Sequence, residues 1–84
     1  MSGTRELNLQ EKSALAFALA SARAAAYANA VALHDKSTEM ENAGESGYLA
    51  FDNEAEQYEI FADVYDSLIE FVCENRIVIS GREK

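Results

Sequence analysis

Seven carboxylates, Asp52, Glu56, Glu59, Asp63, Asp66, Glu70 and Glu74, follow one another at spacings of 4, 3, 4, 3, 4 and 4 residues. On an α-helix those spacings set the side chains in one row, each a turn from the next. Such a row has three chemistries open to it. Paired carboxylates do acid–base work when burial tunes one of them to hold its proton. Carboxylates on a loop wrap a divalent cation. Exposed carboxylates dock on a basic surface. An exposed row lacks the burial that would set two carboxyl groups apart, so the protein is read as a non-enzyme. Asp52-Asn53-Glu54 is similar to the start of a calcium loop, but Gln57 and Asp63 stand where the sixth-position Gly and twelfth-position Glu belong. Docking is the chemistry left.

The other reactive residues add little. His34 is the only histidine, and Val31 occupies the place a Glu-x-x-His metal motif would need for its glutamate. His34 is therefore expected on the surface near a helix end, where a cation is favoured. Cys73 is the only cysteine, which excludes a disulfide within the chain. It falls in register with Asp52, Glu59 and Asp66, and carboxylates disfavour a thiolate, so it is read as a small semi-buried hydrophobe. Gly44-Glu45-Ser46-Gly47 has the GxxG shape of a phosphate-clamping loop with the wrong charge inside it. No nucleotide-binding or nucleophile-elbow motif is present. No metal and no cofactor is expected. Tyr48, Phe51 and Tyr58 lie near the turn and have two roles open, as members of a core or dimer seam or as an aromatic anchor for a partner.

These residues need elements to hold them. The chain has 84 residues and reads as one domain. It contains no proline, and glycines at 3, 44, 47 and 81 divide it. The expected layout is an arm over 1–8, an alanine-rich helix over 9–42, a turn over 43–48, an acidic amphipathic helix over 49–75 and a tail over 76–84. Asn8 with Glu11 has the spacing of a capping box, and so does Asn53 with Glu56, which leaves the second helix starting near Leu49 or Asn53. Every even-numbered residue from Ala14 to Ala32 is alanine; such alternation usually marks a strand, but a helix is expected here, because alanine is the best helix former and a poor strand former. The larger side chains of that helix do not gather on one stripe. Small residues on most sides let neighbouring helices approach closely, which predicts contact with more than one helix, including one from a second copy. In the second helix Phe51, Tyr58, Tyr65 and Val72 recur every seven residues, as do Ala55, Ala62 and Ile69. With Phe61, Val64, Leu68 and Phe71 beside them they make a wide apolar face. The β-branched end from Ile77 to Ile79 fits a last helical turn or a short strand. The fold class expected is all-α, a hairpin of two long helices with a possible short third element, packed in a homodimer.

Lys and Arg total 7 against 15 Asp and Glu, a net charge of −8. Between Lys36 and Arg76 there are eleven acids and no Lys or Arg. Direct nucleic-acid binding and attachment to an anionic membrane are electrostatically disfavoured. Ser21, Arg23 and Asn29 interrupt the alanine-rich stretch, which is read as soluble, and a cytoplasmic location is the default. Like charges one turn apart cost about 0.2–0.5 kcal/mol each, so six such contacts sum to about 1–3 kcal/mol. Against a stability of about 5 kcal/mol for a small domain that is a sizeable charge, and it favours a role for the row over plain solubility.

In its acidic row from Asp52 to Glu74 and its short, cysteine-poor chain, the protein resembles small phage-encoded anti-defence inhibitors of the anti-CRISPR type. Bacteriocin immunity proteins share the same character. The resemblance implies an inhibitor that occupies the basic channel of a nucleic-acid-binding host protein. The partner-binding residues expected are Asp52, Glu56, Glu59, Asp63, Asp66 and Glu70, with Tyr48 as an added contact. Carboxylates every 3.5 residues stand about 5 Å apart along a helix. Duplex DNA carries a charge about every 1.7 Å and a single strand about every 3.4 Å, so one helix is a sparse copy of a phosphate backbone. The alternative is a structural or regulatory dimer that meets its partner through an apolar seam.

Overall fold

The computed structural model describes residues 3–81. Two long helices, α1 (Leu9–Asn42) and α2 (Tyr48–Glu74), pack side by side as an antiparallel hairpin. A two-stranded antiparallel pair, β1 (Thr4–Glu6) with β2 (Val78–Ser80), closes the open end. The all-α hairpin expected from the sequence is the architecture found, and the third element is this strand pair. The sequence predicts only an arm here, whereas Thr4, Arg5 and Glu6 face Ser80, Ile79 and Val78 in register. Residues 1–2 of the arm and 82–84 of the tail lie outside the described residues.

Local signals explain the boundaries. Asn8 caps α1 by accepting from the Glu11 N–H at 2.8 Å, while the Glu11 carboxylate accepts from the Asn8 N–H at 3.1 Å. The reciprocal pair satisfies two amides that a helix start leaves open. Arg5 also pairs with Glu11, joining β1 to that cap. At the far end Gly44 adopts φ 74°, and the chain stops α1 with two reversed bonds. The Glu45 N–H reaches the Met40 carbonyl at 2.8 Å and the Gly44 N–H reaches the Glu41 carbonyl at 3.1 Å. This is a Schellman stop, which needs a left-handed residue where Gly44 stands. Gly47, at φ 89°, then starts α2. The Asn53–Glu56 spacing lies inside α2 and caps nothing, and Tyr48 is the first helical residue rather than part of the turn.

The two helices meet along a seam that repeats every 3.5 residues. In α1 the seam runs through Ala16, Leu19, Arg23, Ala26, Ala30 and Leu33, and continues to Ser37 and Met40. In α2 it runs through Phe51, Ala55, Tyr58, Ala62, Tyr65 and Ile69 to Val72. Each of these side chains is buried or half-buried. Spacings that alternate 4 and 3 are those of a coiled coil, in which a straight seam requires gentle left-handed winding. Among the described residues the buried apolar side chains are Ala26, Ala30, Ala55, Ala62 and Val72. Small side chains let the backbones come close, and they leave a thin core. The hairpin measures 60 × 28 × 14 Å, one helix thick, with a radius of gyration of 18.5 Å. A compact chain of this length would have about 12 Å.

By length and composition α1 is long and apolar enough to cross a membrane, with a mean hydropathy of 1.2 over its most apolar stretch. Arg23 on this helix is nonetheless tied to an acid of α2.

Candidate acidic face

The carboxylate row divides into two lines. Asp52, Glu59 and Asp66 are seven residues apart and adjoin the seam, each one position past Phe51, Tyr58 and Tyr65. Glu56, Asp63 and Glu70 lie further round α2, followed by Glu74. The difference comes from α1, which places its basic groups beside the first line only.

His34 is the main crossing. It sits inside α1, two turns before the end, rather than at the terminus the sequence suggested. Its Nδ1 lies 3.0 Å from Asp52 Oδ1 and its Nε2 lies 2.8 Å from Glu59 Oε1. An imidazole with a carboxylate at each nitrogen donates from both only as the cation. Its pKa is accordingly raised above the ordinary histidine value, first by the bond to Glu59 and then by that to Asp52. The Asp52 carboxyl is held below its usual range by His34 and, secondarily, by the Ser37 hydroxyl. Ser37 is buried in the seam at 2% exposure, so α1 supplies Asp52 with one partner from its surface and one from its core.

Arg23 makes the second crossing. Its Nε lies 3.2 Å from Asp66 Oδ1, close enough for an ion pair but without hydrogen-bond alignment. The guanidinium also stands 5.8 Å from the centre of the Tyr27 ring, one turn along α1, within cation–π range. Both partners of the ion pair are more than a third exposed, so solvent weakens it.

Three of the six acids expected to meet a partner are thus engaged within the hairpin. Glu56, Asp63 and Glu70 make no ion pair among the described residues. Tyr48 is half-buried at the turn end of the seam, in line with Ala55, Ala62 and Ile69, so it is no freely standing anchor. Phe51 and Tyr58 are seam residues too. Exposed apolar residues on the acidic side of α1 include Val31, one turn from Tyr27 and 58% exposed, and Phe17, in the same register and 75% exposed. The spacing of the row does not by itself point to Arg23 and His34 as its partners. A signal was present, since their separation of 11 residues is three helical turns, as a shared face requires.

His34, Asp52 and Glu59 do not converge on one point, because the imidazole lies between the carboxylates. Among the described residues no cluster of His, Cys, Asp or Glu is arranged to hold a metal ion. Cys73 is exposed and lines a shallow groove with Leu9, Lys12, Ser13 and Ala16, against the semi-buried position expected for it. No protein-family model, curated protein or solved structure matches the chain.

Proposed function

We propose that this protein is a non-catalytic, cytoplasmic inhibitor that covers a basic, normally nucleic-acid-facing surface of a protein partner with the acidic side of its hairpin. The observation that supports this reading is the gathering of carboxylates on one side of α2, from which Glu54, in register with Phe61, stands apart. Asp52, Glu56, Glu59, Asp63, Asp66 and Glu70 occupy one side of a rod, and α1 brings only His34 and Arg23 to meet them. Glu56, Asp63 and Glu70 lead the contact, and Asp52, Glu59 and Asp66 join it when a partner's lysine or arginine displaces or shares the internal cations. The outer line alone places a carboxylate about every 10 Å, far sparser than nucleic-acid phosphates. Close imitation of a phosphate backbone therefore needs both lines, and a general electrostatic match needs only the outer one.

The test is affinity capture from the cells that make the protein, then competition between this chain and nucleic acid for the captured protein. The triple variant Glu56→Gln, Asp63→Asn, Glu70→Gln should weaken capture and flatten its salt dependence. Unchanged affinity and unchanged salt dependence would remove the acidic face from the function. A second reading, a structural or regulatory dimer that works through an apolar surface, is favoured by the exposed Phe61, Val64, Leu68 and Phe71 of α2. In that case binding would follow substitutions on the apolar side and ignore salt.

A further inference from the structure

The side of the hairpin opposite the ion pairs is apolar over its middle, with Glu54 and Lys36 in the same registers at its turn end. There Ala22, Ala25 and Asn29 of α1 and Tyr58, Phe61 and Tyr65 of α2 line an open groove of about 240 Å³. Helical register continues the surface through Ala18 on α1 and Leu68 on α2. Phe61 and Leu68 are 49% and 43% exposed. The surface has relief as well as composition: α1 contributes a trough of small residues and α2 a ridge of large ones, side by side.

We propose that a second copy of this chain covers this face, with the Phe61–Leu68 ridge of each copy seated in the Ala18–Ala22–Ala25 trough of the other. Three observations favour a second copy over another occupant. The first is shape. A two-fold axis parallel to the helices lays each α2 over the partner's α1, so ridge meets trough twice in one isologous contact. The alternative axis, across the helices, would stack ridge on ridge and trough on trough. The second is area. The chain exposes 6297 Å². A compact monomer of its mass would expose about 4,900 Å², an excess well above the roughly 800 Å² per partner of a standard interface. The third is the core itself. Among the described residues four of the five buried apolar side chains are alanines, so the hairpin needs a cover wherever it folds, and its own copy is always present. The result is a four-helix bundle in which every neighbouring helix is antiparallel. Both acidic sides face outward, so the interface leaves the surface assigned to the partner untouched.

Sedimentation equilibrium of the full chain over a roughly hundredfold range of concentration should give twice the 9.2 kDa chain mass. Ala25→Glu, which puts a charge into the trough, should weaken association by about 100-fold or more. To fix the arrangement, chains carrying Ala22→Cys are mixed with chains carrying Leu68→Cys, both with Cys73→Ser. Oxidation should link the two kinds to each other in preference to like with like. A helical single-chain mass at the highest concentration overturns the proposal, and so does a dimer that Ala25→Glu leaves intact. Preferential like-with-like linkage overturns the arrangement, and binding of the wild type to phosphatidylcholine vesicles in place of dimerisation assigns the face to a membrane. If Ala25→Glu unfolds as it dissociates, the linkage pattern decides. None of these variants changes a carboxylate of the acidic side, and Cys73→Ser, in register with Asp66, adds no charge there, so this proposal and the inhibitor reading fail separately.

Discussion

His34 Nε2 lies 2.8 Å from Glu59 Oε1, across the gap between α1 and α2. Its other nitrogen meets Asp52 two turns nearer the hairpin turn, so one side chain joins two carboxylates that would otherwise repel. Among the described residues Arg23 meets a single acid, Asp66, three turns away along α1. The inner acids therefore serve the hairpin itself, whereas Glu56, Asp63 and Glu70 have no such task among the described residues.

Folding should be coupled to the protonation of His34. Its pKa is raised in the folded chain, so its contribution is complete below the unfolded value near 6.5. That contribution is lost as pH rises through the higher folded value. Asp52 has a lowered pKa and behaves oppositely, contributing above about 3.8 and losing its share as pH falls through its folded value. Both groups contribute between those two unfolded values. Urea unfolding at pH 5.5 and pH 8 should show the wild type losing more stability at the higher pH than His34→Gln does. The same variant removes the background effect of lower net charge at acid pH. Proton NMR should place the His34 titration above 6.5 and show it moving down in Glu59→Gln, and an equal pH dependence in His34→Gln would refute the coupling.

The two carboxylate lines should respond in opposite directions to neutralisation. Asp66→Asn removes a partly exposed ion pair and should destabilise by less than about 1 kcal/mol. Asp63→Asn and Glu70→Gln relieve like-charge neighbours and should stabilise by about 0.2–0.5 kcal/mol each. Denaturant midpoints of the three variants against the wild type check this. A common sign would mean that the division into lines has no energetic content.

Some of this is legible in the sequence alone. The Asn8–Glu11 cap, the glycine turn and the heptad positions of α2 are local signals, and each appears where its chemistry requires. The seam of α1 was not legible, because alanine fills both its buried and its exposed positions and so erases the contrast on which periodicity depends. Only its burial shows that Ala26 and Ala30 face α2 while Ala25 does not. β1 escaped notice because three residues of mixed polarity carry no strand pattern. They pair only because α1 and α2 bring both chain ends together, with the Leu7 N–H donating to the Ile77 carbonyl at 2.8 Å and Arg76 pairing with Glu6. The acidic row was legible as a row, and its division was not, since that depends on which side of α2 is turned to α1.

The seam should tolerate no added volume at its narrowest points. Ala55 and Ala62 are completely buried at the centre of α2. Ala62→Leu would have to push the helices apart, and overpacking of this kind costs about 1–3 kcal/mol. Ala28→Leu, on an exposed position of α1, changes the same chemistry without the crowding and should be close to neutral. Thermal denaturation followed by circular dichroism compares them, and equal melting temperatures would show that the close approach of the helices is not held by these alanines.

The turn should depend on the left-handed conformation of Gly44 more than on its small size. Nothing stands within 4 Å of where its Cβ would be, so a side chain fits in space. The cost is conformational, because φ of 74° crowds the Cβ of an L-residue against its own backbone by about 1–2 kcal/mol. Part of that cost is offset by the lower entropy of the unfolded chain when glycine is replaced. Gly44→Ala should therefore destabilise by about 1 kcal/mol. Gly44→Asn should lose less, since asparagine is the other residue that serves at this helix stop, and Gly44→Val should lose most, being β-branched. The order Gly, Asn, Ala, Val in urea midpoints is the expected result. If valine matched asparagine, the Glu45-to-Met40 and Gly44-to-Glu41 bonds would not be what sets the end of α1, and the turn would owe its shape to the packing of the helices it joins.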